Sequence, residues 1–223
     1  LVTPFCNAQV CYDTLRRLVE RQIAGKVDGI VPMGTTGESP TLDFKEHAKV
    51  IETVIEAAEH RCLVTAGTGA NATREAVELT RDAAAAGADA SLQVTPYYNK
   101  PTQEGLYRHF ATVADEGGLP IVLYNVPGRA GREIAIDTIA RLSSHPNVIA
   151  VKEAGGSVDR VSHIRDACDI TVLSGDDSLT LPMMAVGASG VISVASNVAP
   201  AKVAEMVHAA LAGEFVRAGE MHA

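Results

Sequence analysis

Tryptophan is absent from this 223-residue chain, and aromatic residues of all kinds make up only 4% of it. So sparse a set of rings offers no platform for stacking bases. Positive charge is also short: 19 Lys and Arg stand against 27 Asp and Glu, for a net charge of −8. No basic footprint for nucleic acid or an anionic lipid surface exists. Long apolar runs are missing too. Ala83–Ala86 and Ile121–Leu123 fall far short of the roughly 20 residues that a membrane span requires. Cys6, Cys11, Cys62 and Cys168 include no CxxC pair, and their scatter suits a reduced, cytoplasmic protein without a disulfide or zinc framework. The seven histidines are dispersed and mostly helical, so neither a metal centre nor a histidine base is expected. What remains, 47% hydrophobic and 21% charged, is an ordinary globular composition with ample material for a core.

One unit repeats along the chain: a short apolar, β-branched run, then small or polar residues, then an amphipathic stretch of helical period. The runs are Gly29–Met33, Cys62–Ala66, Ala90–Val94, Pro120–Tyr124, Val148–Val151, Ile170–Leu173 and Gly190–Val194. Leu1–Val2 reads as the tail of an eighth. Apolar spacing predicts helices over Thr14–Ala24, Phe44–Ala58, Arg74–Ala86, Glu104–Asp115, Ile136–Leu142, Val158–Ala167, Leu179–Val186 and Pro200–Leu211. Alternation of this kind implies a parallel sheet covered by helices. Eight βα units in about 200 residues match a (β/α)8 barrel, with a doubly wound open sheet as the alternative. The barrel is expected over 1–212 and the start of a C-terminal helical extension over 213–223, with the first strand and that extension both cut short. Either architecture places ligands at the carboxyl ends of the strands.

Of six lysines, only Lys152 terminates an apolar strand, in Asn147-Val-Ile-Ala-Val-Lys-Glu. Partial desolvation at a barrel mouth would lower its pKa and leave an amine able to attack a carbonyl. Spacing alone leaves open a second reading, in which Lys152 pairs with Glu153 or another carboxylate. Tyr124 ends the preceding strand and could move protons beside that amine, or could simply bond to backbone at the rim. Arg129 follows in the turn Asn125-Val-Pro-Gly-Arg, where a guanidinium can clamp a carboxylate or stand in solvent. Gly34-Thr-Thr-Gly-Glu-Ser39 offers converging backbone N–H groups and two hydroxyls for an anion, or an ordinary turn. Gly67-Thr-Gly69-Ala-Asn-Ala72 matches a dinucleotide fingerprint only formally. The acid that should close the next strand is missing, so Asn71 and Thr73 are read as turn and helix-capping residues. The paired carboxylates Asp176 and Asp177 are expected to cap a helix. Tyr97 and Tyr98, adjacent on a loop, suit a subunit contact.

Taken together and in order, these strand-end segments resemble the dihydrodipicolinate synthase family, within the pyruvate-dependent class I aldolases. Gly34-Thr-Thr-Gly-Glu-Ser, Ala66-Gly-Thr-Gly-Ala-Asn, Val94-Thr-Pro-Tyr-Tyr-Asn, Tyr124-Asn-Val-Pro-Gly-Arg, Val151-Lys-Glu-Ala, Leu173-Ser-Gly-Asp-Asp and Gly190-Val-Ile-Ser-Val carry the likeness over essentially the whole chain. The resemblance implies a (β/α)8 barrel condensing pyruvate with L-aspartate 4-semialdehyde in lysine and diaminopimelate biosynthesis. It implies that Lys152 forms the imine, that Tyr124, Thr35 and Tyr98 relay protons, and that Tyr98 does so in a neighbouring subunit of a homodimer or homotetramer. It assigns Gly34, Thr36 and the Ile192 carbonyl to pyruvate and Arg129 to the aldehyde substrate's carboxylate. No metal or organic cofactor is implied. A lysine effector site would fall at Ser39, His47, Asn71, Glu75 and Tyr97, although Phe44 and Pro40 depart from inhibitable relatives, and Ala130 replaces a common threonine. Two rivals are another pyruvate aldolase, such as N-acetylneuraminate lyase or a 2-keto-3-deoxy sugar acid aldolase, and a non-catalytic binding homologue or inactive fragment.

Overall fold

The computed structural model describes residues 1–222; the last residue of the expected 213–223 segment lies outside them. The chain opens with a hairpin of β1 (Phe5–Cys6) and β2 (Gln9–Val10), which the sequence pattern did not signal. Its two-residue turn holds Asn7 and Ala8 at φ 53° and 61°, the paired left-handed geometry of a tight hairpin. After α1 (Tyr12–Ala24) come β3 (Gly29–Ile30), α2 (Phe44–Ala58), β4 (Leu63–Gly67), α3 (Thr73–Ala86), β5 (Ala90–Val94) and α4 (Gln103–Glu116). Then follow β6 (Ile121–Asn125), the short α5 (Pro127–Ala130), α6 (Ile136–Ser143), β7 (Val148–Glu153), α7 (Val158–Ala167) and β8 (Thr171–Ser174). α8 (Thr180–Ala185), α9 (Pro200–Leu211) and α10 (Phe215–His222) complete the chain. No helix among the described residues is long and apolar enough to cross a membrane.

β3 to β8 form one parallel sheet in sequential order. Alternation along each strand sorts its side chains between two cores. Val122 and Tyr124 of β6 and Ala150 of β7 join Leu92, Val126 and Ala130 in an inner cluster. Ile121, Leu123, Val148 and Val151 face outward into the layer shared with the helices. A parallel sheet buried on both faces explains why these strands read as continuous apolar runs.

Two expected strands are not formed. At Gly190–Val194 the pairing shrinks to one bridge, Val191 with Ser174. Beyond Ile192 the Val194 and Ala195 N–H groups donate to the Asp177 carboxylate (3.0 and 2.9 Å), which also takes the Ser193 hydroxyl, so these groups are withdrawn from any ladder. At the chain start, Leu1 donates to the Val31 carbonyl (2.9 Å) and Val2 to Asn197 Oδ1 (2.9 Å). β3 stops at Ile30 rather than Met33, because Pro32 has no N–H to give and Met33 turns left-handed at φ 55°.

The helices follow the apolar period closely. α2, α7 and α9 have the expected bounds. Asp43 opens α2 with a capping box, accepting from Lys45 and Glu46 N–H (both 2.9 Å) while Glu46 accepts from Asp43 N–H. One capping expectation fails. Ala72, not Thr73, is the N-cap of α3, and the Thr73 hydroxyl instead bonds His109 Nδ1 on α4 (2.9 Å). The glycines of Gly67-Thr-Gly69 serve packing. A Cβ on Gly69 would lie 2.3 Å from the Val94 nitrogen, and one on Gly67 would lie 2.2 Å from the Met33 carbonyl oxygen and 2.8 Å from the Gly34 nitrogen. Gly67→Ala should therefore cost about 1–3 kcal/mol of stability through backbone overpacking, read as a lowered urea midpoint. An unchanged midpoint would mean that this approach tolerates a methyl group.

Candidate active site

The parallel pairing of β6 with β7 puts Tyr124 directly beside Lys152, both on the inner face at the carboxyl end of the sheet. Lys152 is only 8% exposed, and its Nζ sits 4.2 Å from the centroid of the Tyr124 ring. Glu153 points the other way, into the outer layer, where Asn125, Gly155 and Arg160 occupy its carboxylate. The reading in which Lys152 pairs with Glu153 is thereby excluded, and no other carboxylate forms an ion pair with Lys152 among the described residues. Burial lowers the pKa of the amine from 10.5 to about 8; Arg129 pushes the same way and Asp177 opposes. A sizeable neutral fraction is thus present near neutral to mildly alkaline pH. Burial raises the Tyr124 phenol above its ordinary value, with the Thr35 hydroxyl and Arg129 pulling partly back, so the phenol stays protonated.

A pocket of about 210 Å³ opens above Lys152. Thr35 and Thr36 reach it from a 3-10 turn, Thr35–Gly37, that follows Gly34. The turn is held by Gly37 N–H on the Gly34 carbonyl (3.0 Å) and by the Thr3 hydroxyl on the Gly37 carbonyl (2.6 Å). Gly34, Arg129 and Ile192 complete the expected set around the pocket. Arg129 comes from α5, one helical turn that begins at Pro127 and ends at Gly131 (φ 68°). Four residues are too few for a periodic signal, but Pro at the first helical position and Gly after the last were the legible cues. Leu1 and Gly175 also line this pocket, and neither was singled out from sequence. A Cβ on Gly175 would lie 2.9 Å from Lys152 Cε, so the position admits only hydrogen beside the amine. Of the paired acids, Asp176 caps the 3-10 turn Asp177–Leu179 as expected, accepting from Ser178 N–H (3.1 Å). Asp177 does something sequence did not reveal, pinning the 193–195 loop that carries Ile192 toward the site.

A second cleft of about 590 Å³ shares Gly34, Thr35, Tyr124 and Arg129 with the first. Its far wall holds Ser39, His47, Glu75 and Tyr97, with Phe44 at its edge. His47 is buried, bonded through Nε2 to the Gly67 carbonyl (3.0 Å), and its pKa is lowered by desolvation. Asn71 does not line the cleft; it braces it, donating to the Tyr97 carbonyl (3.2 Å) and accepting from Asn99 (3.0 Å). Tyr98 stands apart from both cavities. It is 90% exposed, on a loop where it and Lys100 have positive φ. No three His, Cys, Asp or Glu side chains converge as a metal would require among the described residues.

The chain matches the family model described as the dihydrodipicolinate synthetase family over residues 1–223. It is 54% identical over 224 residues to the 4-hydroxy-tetrahydrodipicolinate synthase of Geotalea uraniireducens, covering 100% of this chain and 77% of that one. The crystal structure of dihydrodipicolinate synthase from Aquifex aeolicus superimposes with a TM-score of 0.98 at 54% identity, again over 100% of this chain and 77% of the other. A dihydrodipicolinate synthase from Cyanidioschyzon merolae, solved with lysine bound, gives a TM-score of 0.95 at 39% identity, with the same coverage. The match extends over the whole chain in sequence and in backbone, and the chain belongs to the dihydrodipicolinate synthetase family.

Proposed function

We infer that the chain is a 4-hydroxy-tetrahydrodipicolinate synthase, a lyase that condenses pyruvate with L-aspartate 4-semialdehyde through a Schiff base. The single observation that carries this reading is a desolvated lysine without a carboxylate partner, seated against Tyr124 in the barrel mouth of a chain of this family. Neutral Lys152 attacks C2 of pyruvate, and loss of water leaves an iminium. That cation draws electrons from C3, so a methyl proton departs and an enamine forms. The enamine carbon adds to the aldehyde, the new alkoxide takes a proton, and the amine of the second substrate then attacks C2 and expels Lys152 as the ring closes. Tyr124 and Thr35 carry the protons in this reading. Thr36, the Gly34 backbone and the Ile192 carbonyl hold pyruvate, and Arg129 clamps the carboxylate of the aldehyde. Tyr98, exposed in one chain, would act in the site of a partner in a homodimer or homotetramer. The chemistry calls on no metal or organic cofactor, because the iminium is itself the electron sink.

Borohydride with pyruvate should leave a pyruvate-sized adduct on Lys152, located by peptide mapping, and Lys152→Arg should carry none. The trapping rate should climb with pH through about 8 and then level, since protonation below that pKa removes the nucleophile. A rate still rising toward pH 10.5, or an adduct on another lysine, would sink the assignment.

Arg129 separates this reaction from that of an aldolase whose substrate carries hydroxyls there. Arg129→Ala should raise KM for aspartate semialdehyde about ten- to hundredfold, the scale of one lost charge-assisted pair. An unchanged kcat/KM favours the aldolase. We further propose that the cleft lined by Ser39, His47, Glu75 and Tyr97 takes lysine as a feedback effector; a relative at 39% identity was solved with lysine bound. Lysine titrated to millimolar concentration should then slow turnover, and a constant rate removes the assignment.

A further inference from the structure

At the carboxyl ends of β6 and β7 two pairs lie in register, Tyr124 with Lys152 and Asn125 with Glu153. The first pair faces the pocket and the second faces the outer layer. Glu153 is 0% exposed, and the reaction has no use for it. Its carboxylate receives only donors: Asn125 Nδ2 (2.9 and 3.0 Å), the Gly155 N–H (2.6 Å) and Arg160 Nε (2.8 Å). The other two guanidinium nitrogens of Arg160 continue to the Glu133 carboxylate and the Ile134 carbonyl. Asn125 Oδ1 accepts from the Ile134 N–H (3.0 Å), so the loop after α5 is held from two sides. One buried carboxylate therefore joins the three pieces of backbone that deliver Tyr124, Lys152 and Arg129.

The barrel does not need a charge to fill such a space. Behind β4 and β5 the equivalent layer is filled by a neutral cluster of Thr68, Thr80, Ser91 and Gln93. A buried ion pair contributes little stability relative to a well-packed neutral replacement, whereas its directional bonds fix geometry. We propose that Glu153 is a positioning residue for the condensation, setting the placement of Lys152, Tyr124 and Arg129 through Asn125 and Arg160. The inference rests on the reading of Lys152 as the imine-forming amine.

Glu153→Gln keeps the shape but turns an amide NH2 toward a ring of donors, so one bond must open. The variant should stay folded by circular dichroism with a lower Tm. Its borohydride trapping of pyruvate should slow roughly ten- to hundredfold, the cost of misplacing a reacting group by about an ångström. The pH midpoint of trapping should also move up from about 8, as a displaced Lys152 regains water. Asn125→Ala, which removes one spoke and leaves the ion pair, should show both effects more weakly and serves if Glu153→Gln does not fold. Thr80→Val, in the neutral cluster, should lose Tm with rate and midpoint unchanged. A folded Glu153→Gln or Asn125→Ala protein with wild-type rate and midpoint overturns the proposal, as does equal slowing in Thr80→Val at the same loss of Tm. No adduct on Lys152 in the wild-type chain overturns the nucleophile assignment first, and this inference with it.

Discussion

An ammonium group buried among strand ends has nowhere favourable to put its charge, and the site is built around that constraint. Lys152 lies at the mouth of the barrel, where water is largely excluded and no carboxylate forms an ion pair with it among the described residues. The penalty falls on the protonated form, and the amine becomes available near physiological pH. Asp177 partly offsets the effect, and Arg129 adds to it as a like charge. Tyr124 occupies the space a counter-ion would need and offers its ring face instead, a weaker partner for a cation than a carboxylate.

Keeping carboxylates away from Lys152 is a matter of strand parity. Glu153 is the next residue in the chain, but the pleat turns it to the opposite face of β7, where Arg160, Asn125 and the Gly155 N–H satisfy it. Asp177 is likewise engaged by the backbone of the 193–195 loop. Glu153 and Asp177 thus each have a structural task whose donors hold them in place. The same division extends around the rim, where Thr3 holds the Thr35–Gly37 turn and the missing side chain of Gly175 leaves space for the lysine stem.

Much of this was legible before the fold was known. α2, α7 and α9 fall where their apolar period placed them, because an amphipathic helix is specified by residues within two turns of one another. The strand ends carrying Tyr124 and Lys152 are legible because a two-sided parallel strand shows as an uninterrupted apolar run, and a lysine at its end is conspicuous. The hairpin β1–β2 and the single turn α5 carry no such signal, because two or four residues cannot display a period. The expected strand at Gly190–Val194 dissolved for a different reason. Its composition suits a strand, but Asp177, distant in sequence, competes for its N–H groups.

The alternation of strands and helices, the parallel sheet, the order of the strand-end motifs and the identity of the residues at the mouth are all written in the chain itself. Those properties depend on neighbours along the chain, and local periodicity encodes them. That Lys152 faces Tyr124 rather than an acid, that Glu153 serves Arg160, and that Gly190–Val194 meets β8 at one bridge emerge only in three dimensions. Register and burial fix these outcomes, and both are set by contacts between residues far apart in the chain, where no local pattern can specify a partner.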